Sequence, residues 1–325
     1  MPAHIFVSDR KNFDICMRRG VVGIPSASPE SRNRDATNDA LISRMCVVKE
    51  NDYLLFYIAK EHALYGIWQA EGTPFYDETE VWADRSYPYR VRFKNSPYSY
   101  DVPLKLHDLL DLQNEGKLWN FVLKRASGSN AMFSISENEF LVFLNEYSKI
   151  NPYTPGRRQI LEPYPVRDSG LLEKIHLSGG QLKYEAGLMA YLLSDLTQGR
   201  HRTLFGNYTD YLCYAPTNIG SEMDILLMFA NPLQPGLISS YEILELKRDL
   251  FDEEALAQLI GYESWFLQKK VFGDQKMIRA TAIAQRFSPK VIEYVHMRSR
   301  IERKPIKLVQ YALNADGQLM LEPLP

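Results

Sequence analysis

The stretch ISSYEILELKRDLF, residues 238–251, decides the fold of the second half of this chain. Read as a strand, it sets Tyr241, Ile243, Glu245 and Lys247 on one face. Leu244 and Leu246 lie on the other, between Glu242 and Arg248. The run is apolar enough to be half buried. A carboxylate and an ammonium two residues apart there are costly to desolvate unless they pair or hold a metal.

Working outward, other polar residues interrupt apolar faces. MDILLMF (223–229) reads as a strand that Asp224 opens. A helix over 180–196 puts Glu185 on a face with Leu188, Met189 and Leu192. A helix over 253–270 puts Gln258 with Ala255, Tyr262 and Trp265. Further elements are a strand over 277–284, a helix over 288–299, and a hairpin over 306–324 turning at Asp316-Gly317. Strand, helix and strand in succession imply a right-handed crossover and a mixed or parallel sheet covered by helices.

Metal-assisted phosphodiester hydrolysis needs such a set of residues. Mg²⁺ takes one or two carboxylates and keeps several waters. It lowers the pKa of an attacking water and neutralises the scissile phosphate, while a nearby lysine stabilises developing charge. Glu-x-Lys delivers ligand and lysine to one face, one pleat apart.

EMD (222–224), ELK (245–247) and QLIGYESW (258–265), after a helix bearing Glu185, resemble the PD-(D/E)XK nuclease superfamily. The likeness is to the group containing the archaeal mismatch- and branch-cleaving endonucleases, and covers about residues 175–320. It implies Asp224 and Glu245 as ligands of Mg²⁺ or Mn²⁺, with the Leu246 carbonyl facing the metal. It implies Lys247 as the catalytic lysine, Gln258 as a supporting polar residue and Glu185 as the first-helix carboxylate. No proline precedes Asp224, where Glu222-Met223 stands, a departure common in the superfamily.

The first half reads as strand-rich. Strands are expected over 4–8, 52–59, 63–72 and 85–94. Helices are expected over 12–20, ending at Gly20, over 104–113, and over 136–148, where Ser136 and Glu139 have capping-box spacing. IFVSDRKNFDICMRRGVVGIP, NDYLLFYIAKEHALYGIWQA and VWADRSYPYRVRF together resemble an EVE domain, a prokaryotic relative of the YTH readers in the PUA-like group. That resemblance covers about residues 3–148 and implies a β-barrel with helices that accepts a flipped-out modified base. Ser8 and Asn12 match the polar positions, Val22 and Gly23 the first cage wall, and Trp82 the second. Val22 stands where YTH readers have tryptophan, which leaves Tyr57, Trp68 and Tyr76 as candidates for the missing face.

The whole chain is expected to be α/β and α+β, with a reader over 1–150 and a nuclease domain over 171–325. Residues 151–170, with four prolines and two glycines, read as the linker. Over 325 residues, 45% are apolar and 24% charged, which is enough for two cores. The net charge of −2 gives no global basic signature, so contact with nucleic acid must come from local patches. Cys16, Cys46 and Cys213 form no C-x-x-C pair, and the six histidines show no metal-ligand spacing. No signal peptide and no run of about 18 apolar residues is present, which suits a cytoplasmic protein with no membrane partner. The expected partner is double-stranded DNA carrying a modified base, with a homodimer allowed for double-strand cleavage. The leading function is a metal-dependent, modification-dependent restriction endonuclease. A mismatch- or structure-specific repair endonuclease and a catalytically silent nucleic-acid binding protein are the alternatives.

Overall fold

A computed structural model describes residues 3–98, 100–121, 131–151, 160–167, 169–217 and 220–325, apart from the Pro235 side chain. The chain divides into two units, Met1–Ile175 and His176–Pro325.

In the first unit, β1 (Ala3–Ser8) leads into α1 (Arg10–Arg19), which Asp9 caps by accepting from the Asn12 amide. Gly20 ends that helix at φ 61°, and β2 (Val21–Ile24) follows at once. After α2 (Arg34–Met45) come β3 (Tyr53–Ile58), β4 (Ala63–Tyr76) and β5 (Tyr89–Asn95). Then α3 (Leu106–Asn114), β6 (Met132–Ile135) and α4 (Glu137–Ile150) complete the series. Ser136 and Glu139 form the reciprocal capping box that their spacing implies.

The six strands form one sheet in the order β2-β5-β4-β3-β1-β6, in which only β1 and β3 run parallel. Among the described residues this sheet is open, with β2 and β6 at its edges, and is not the expected closed barrel. Its core packs Ile5, Leu55, Tyr57 and Ile67 against Phe140, Phe143 and Tyr147 of α4.

Several residues of 160–170, expected as linker, hydrogen-bond to this unit. The amides of Leu161 and Tyr164 donate to the Arg18 and Arg19 carbonyls, and Tyr76 donates to the Ser169 carbonyl. Proline removes its own donor but leaves its neighbours free to pair. Residues 152–159 and 168 lie outside the described set.

The second unit opens with the two-residue strands β7 (Leu177–Ser178) and β8 (Gln181–Leu182), where the start of a helix was expected. Gly179 and Gly180, at φ 59° and 80°, make that hairpin turn and delay α5 to Glu185–Thr197. A short helix α6 (Arg202–Phe205) precedes β9 (Asp210–Pro216), β10 (Glu222–Asn231) and β11 (Gln234–Leu246). Next are β12 (Leu250–Phe251), α7 (Glu253–Lys269), β13 (Ile278–Ala284), β14 (Arg286–Phe287), α8 (Pro289–Glu302), β15 (Ile306–Leu313) and β16 (Leu319–Pro323).

The main sheet has the order β16-β15-β13-β11-β10-β9. β11, β13 and β15 are parallel, joined through α7 and α8, and the outer pairs are antiparallel. This is the mixed sheet with helical connections expected from the sequence, with β9 an addition to it. Among the described residues, no helix is long and apolar enough to cross a membrane.

Candidate functional site

Two neighbouring strands build the polar centre of the second unit. Pairing of Ile225 with Leu244 sets Asp224 of β10 level with Glu245 of β11. The Leu246 amide donates to Asp224 Oδ2 at 2.8 Å. Lys247 Nζ donates to Glu245 Oε1 at 2.9 Å and to the Leu246 carbonyl at 3.0 Å, and lies 3.7 Å from Glu185 Oε1. Glu245 is 1% exposed, and its Oε2 is buried with no hydrogen-bond partner.

Three carboxylates therefore share one ammonium. Burial and the adjacent Asp224 push Glu245 up to about 8, against the pull of Lys247. Burial likewise pushes Asp224 up to about 7, opposed by the Leu246 amide and Lys247. Lys247 is raised: burial alone would lower it, but Glu245 outweighs that. With no further cation, the carboxylate pair retains a proton near neutrality.

The opposite pleat gives a control. Glu242 is also 1% exposed, but it receives the Thr281 hydroxyl at 2.6 Å and Lys307 at 3.3 Å, with Arg279 at 3.5 Å. There two cations serve one carboxylate, and although its Oε2 also lacks a hydrogen bond, Arg279 lies 3.5 Å from that oxygen. The Asp224–Glu245 side has one ammonium for three carboxylates, and Glu245 Oε2 is an atom that a further cation would satisfy. Hard-oxygen chemistry fits Mg²⁺ or Mn²⁺ held by Asp224, Glu245 and the Leu246 carbonyl, with waters completing the shell. Among the described residues, no three His, Cys, Asp or Glu side chains form a complete ligand set, so the metal would rely on these two.

A stability prediction follows with a definite sign. The unfolded chain releases both protons near pH 4, whereas the folded pair holds one up to about 7–8. The native state thus binds more protons across that window, and this contribution to stability falls as pH rises through it. In chelator, Glu245→Gln should exceed the wild type in stability at pH 8 by about 1–3 kcal/mol, with the gap closing near pH 5. Urea titrations at both pH values check this, and a variant less stable than wild type at pH 8 would contradict it.

Glu185 stands at the first position of α5 with its side chain 45% exposed, at the rim and not on the core side. As the first residue of the helix it stands at the open end of that face, where its side chain reaches solvent and Lys247. Gln258 is exposed on α7 and donates to the Tyr262 hydroxyl at 2.7 Å, which donates to the Glu222 carbonyl at 2.8 Å. Gln258 therefore reaches β10 through Tyr262, and the described hydrogen bonds link it to neither carboxylate. Tyr262 was not among the expected site residues. Burial raises its hydroxyl, and the charges of Glu245 and Asp224 add to the shift. Its signal was the four-residue spacing from Gln258 on the same helical face.

The first unit holds a cavity of about 410 Å³ lined by Ser8, Asn12, Val22, Gly23 and Trp82, together with Tyr87 and others. Asn12 Nδ2 donates to the Tyr87 hydroxyl at 2.9 Å and to Asp9 and Asp84 at 3.3 Å each. Tyr87 in turn donates to Asp84 at 2.8 Å. Burial works to raise Asp84, but hydrogen bonds from Tyr87 and Asn12 hold it below its usual value.

Trp82 lines the cavity but is only 3% exposed; its ring sits 5.0 Å from that of Tyr87 and under the Arg90 guanidinium at 5.3 Å. Two expected members are elsewhere. Trp68 packs edge-on against Phe56, Phe13 and Phe93, and Tyr57 is fully buried beside Phe121. Both fill the core, because β3 and β4 are central strands of the sheet. Tyr76, the other aromatic candidate, lines a separate groove with Tyr89 and Arg34. Cys16, Cys46 and Cys213 are buried and, among the described residues, form no disulfide.

No protein-family model and no curated protein matches the chain. Among solved structures, a repair endonuclease from Pyrococcus abyssi is 15% identical, over 36% of this chain and 45% of its own, with a TM-score of 0.27. The protein of an EndoMS–dsDNA complex is 14% identical, over 42% of this chain and 46% of its own, at 0.29. The chain spans less than half the length of these two proteins. A human THYN1 protein, in complex with DNA containing 5-methylcytosine, is 13% identical, over 45% of this chain and 98% of its own, at 0.31.

Proposed function

We propose that the chain is a metal-dependent DNA endonuclease whose first unit reads a flipped-out, modified base and whose second unit hydrolyses the phosphodiester backbone. The observation that carries the proposal is the buried Glu245 Oε2 with no partner, beside Asp224 and Lys247. A buried carboxylate oxygen with no hydrogen bond is destabilising, and with one ammonium shared among three carboxylates a further ligand of positive charge would satisfy it.

A bound Mg²⁺ or Mn²⁺ would activate water and neutralise the phosphate. Asp224 and Glu245 supply the charge that holds the cation. The Leu246 amide fixes the Asp224 carboxylate by donating to Oδ2. Lys247, kept protonated by its carboxylate neighbours, can donate to a phosphate oxygen or to the attacking water. Tyr262, tied to the Glu222 carbonyl, braces the start of β10 against α7.

In the first unit, the Asn12–Tyr87–Asp84 network offers both donors and acceptors beside apolar walls at Val22 and Trp82. A base edge needs that mixture for recognition. Incubation with Mg²⁺ or Mn²⁺ and matched phage DNAs, unmodified or carrying modified cytosine or adenine, tests the whole reading. Faster cleavage of a modified DNA is expected. Equal cleavage of all the DNAs would remove the reader, and cleavage of none would remove the nuclease.

A further inference from the structure

The loop of residues 77–88, between β4 and β5, carries Trp82 and Tyr87 of the cavity wall and Asp84 of its polar network. Arg90, itself 1% exposed, holds this loop. Its Nε donates to the Tyr87 carbonyl at 2.7 Å, its Nη2 donates to the Thr79 carbonyl, and its guanidinium lies 5.3 Å from the Trp82 ring. A second cavity of about 240 Å³ is lined by the loop and by Arg90, so part of the loop faces open space and not packed side chains.

The remaining arm of Arg90 goes to a residue far along the chain. Nη1 donates to the Tyr164 hydroxyl at 2.5 Å, and that hydroxyl donates to Asp77 Oδ2 at 2.9 Å. Arg167 Nε donates to the same oxygen at 2.7 Å. Burial works to raise Asp77, but hydrogen bonds from Thr79, Arg167 and Tyr164 hold its carboxyl well below the usual range. The Tyr164 ring stacks on Phe75 at 6.1 Å, and its amide donates to the Arg19 carbonyl at 2.8 Å. One phenol hydroxyl thus joins a buried guanidinium to the carboxylate at the start of the loop.

We propose that Tyr164 is a positioning residue for the first unit's cavity: through Arg90 and Asp77 it fixes the 77–88 loop and couples filling of the cavity to the segment that leads into the second unit. What fills the cavity rests on the reader reading; the hold of Tyr164 on the loop does not. Removing the hydroxyl leaves Arg90 without an acceptor and Asp77 without a donor, both in buried surroundings. A ligand that orders the loop must also tighten the Tyr164 contact, because coupling between two sites is reciprocal. The segment runs on into the second unit at His176, so the coupling reaches the connecting chain itself.

Hydrogen exchange of the full chain, read by mass spectrometry, tests this alone and with short duplexes that are unmodified or carry 5-methylcytosine or N6-methyladenine. Tyr164→Phe keeps the ring and its stacking; it should exchange about tenfold faster over 77–88, with β3 and the second unit unchanged. Its preference for the favoured modified duplex should fall about tenfold, with affinity for the unmodified duplex within about threefold of wild type. That modified duplex should slow exchange over 160–167 in wild type and not in Tyr164→Phe. Leu161 lies in the same segment and is 64% exposed, and Leu161→Ser should match wild type throughout. Exchange over 77–88 unchanged in Tyr164→Phe, or equal losses of affinity for modified and unmodified duplexes, would overturn the proposal. A wild type that prefers no modified duplex would instead remove the reader reading, and exchange over 77–88 would then decide for or against Tyr164.

Discussion

Glu245→Gln is expected to lower DNA cleavage at least a thousandfold while leaving DNA affinity within about threefold of wild type. The change removes one charge and almost no volume. A neutral amide cannot serve a hard dication as a carboxylate does, and a thousandfold is about 4 kcal/mol of barrier. On the proposed reading, backbone phosphates would be gripped by lysines and arginines elsewhere. Asp224→Asn should behave alike, with a neutral amide oxygen left as a weaker acceptor for the Leu246 amide.

Lys247→Ala separates the roles: turnover should fall by a similar factor, while metal binding survives because both carboxylates remain. Gel-based cleavage and fluorescence anisotropy, run on the same preparations, check the three variants. Full cleavage by either carboxylate variant would remove these residues from the chemistry.

The second large effect concerns the cavity of the first unit. Asn12→Leu should weaken binding to the preferred modified DNA about ten- to a hundredfold, and binding to unmodified DNA hardly at all. Asn12 holds Tyr87 and reaches Asp84, so its loss scrambles the polar edge of the cavity as well as removing one donor. A hundredfold corresponds to about 2.7 kcal/mol, within reach of a base-edge donor plus the network it orients. Trp82→Ala is a poorer probe. A side chain that is 3% exposed leaves a hole when truncated, and aromatic-to-alanine changes in cores cost about 3–5 kcal/mol of stability. Equal loss on modified and unmodified DNA in Asn12→Leu would make the cavity a general grip and not a reader.

What the sequence could convey depended on how local the signal was. The capping box at Ser136, the stop at Gly20 and the Glu-x-Lys strand are set by residues within a few positions of one another, and all three stand in the structure. Gly179 and Gly180 turn the chain just where the apolar pattern of the following helix runs back toward them, and that pattern masks the turn. Among the elements missed, α2 has a polar sequence with little amphipathic contrast, and β2 is four residues containing a glycine. Neither carries enough periodicity to be read without its neighbours.

Of the site residues, Asp224, Glu245 and Lys247 come together because strand register is a strong constraint. Tyr57 and Trp68 show the limit. An aromatic residue suits a core and a stacking surface equally, and only the placement of β3 and β4 in mid-sheet decides for the core. Tyr262 shows the converse, since its part depends on a carbonyl of β10 forty positions away in the chain.

Calorimetric titration of metal-free protein with Mn²⁺ at pH 7, repeated in buffers of different ionisation enthalpy, addresses the Asp224–Glu245 centre directly. Wild type should bind the ion at one site and release a proton, because the carboxylate pair holds one near neutrality and must lose it to coordinate. Glu245→Gln should bind at least a hundredfold more weakly. No binding to wild type, or equal binding to both proteins, would contradict a metal-dependent centre on β10 and β11.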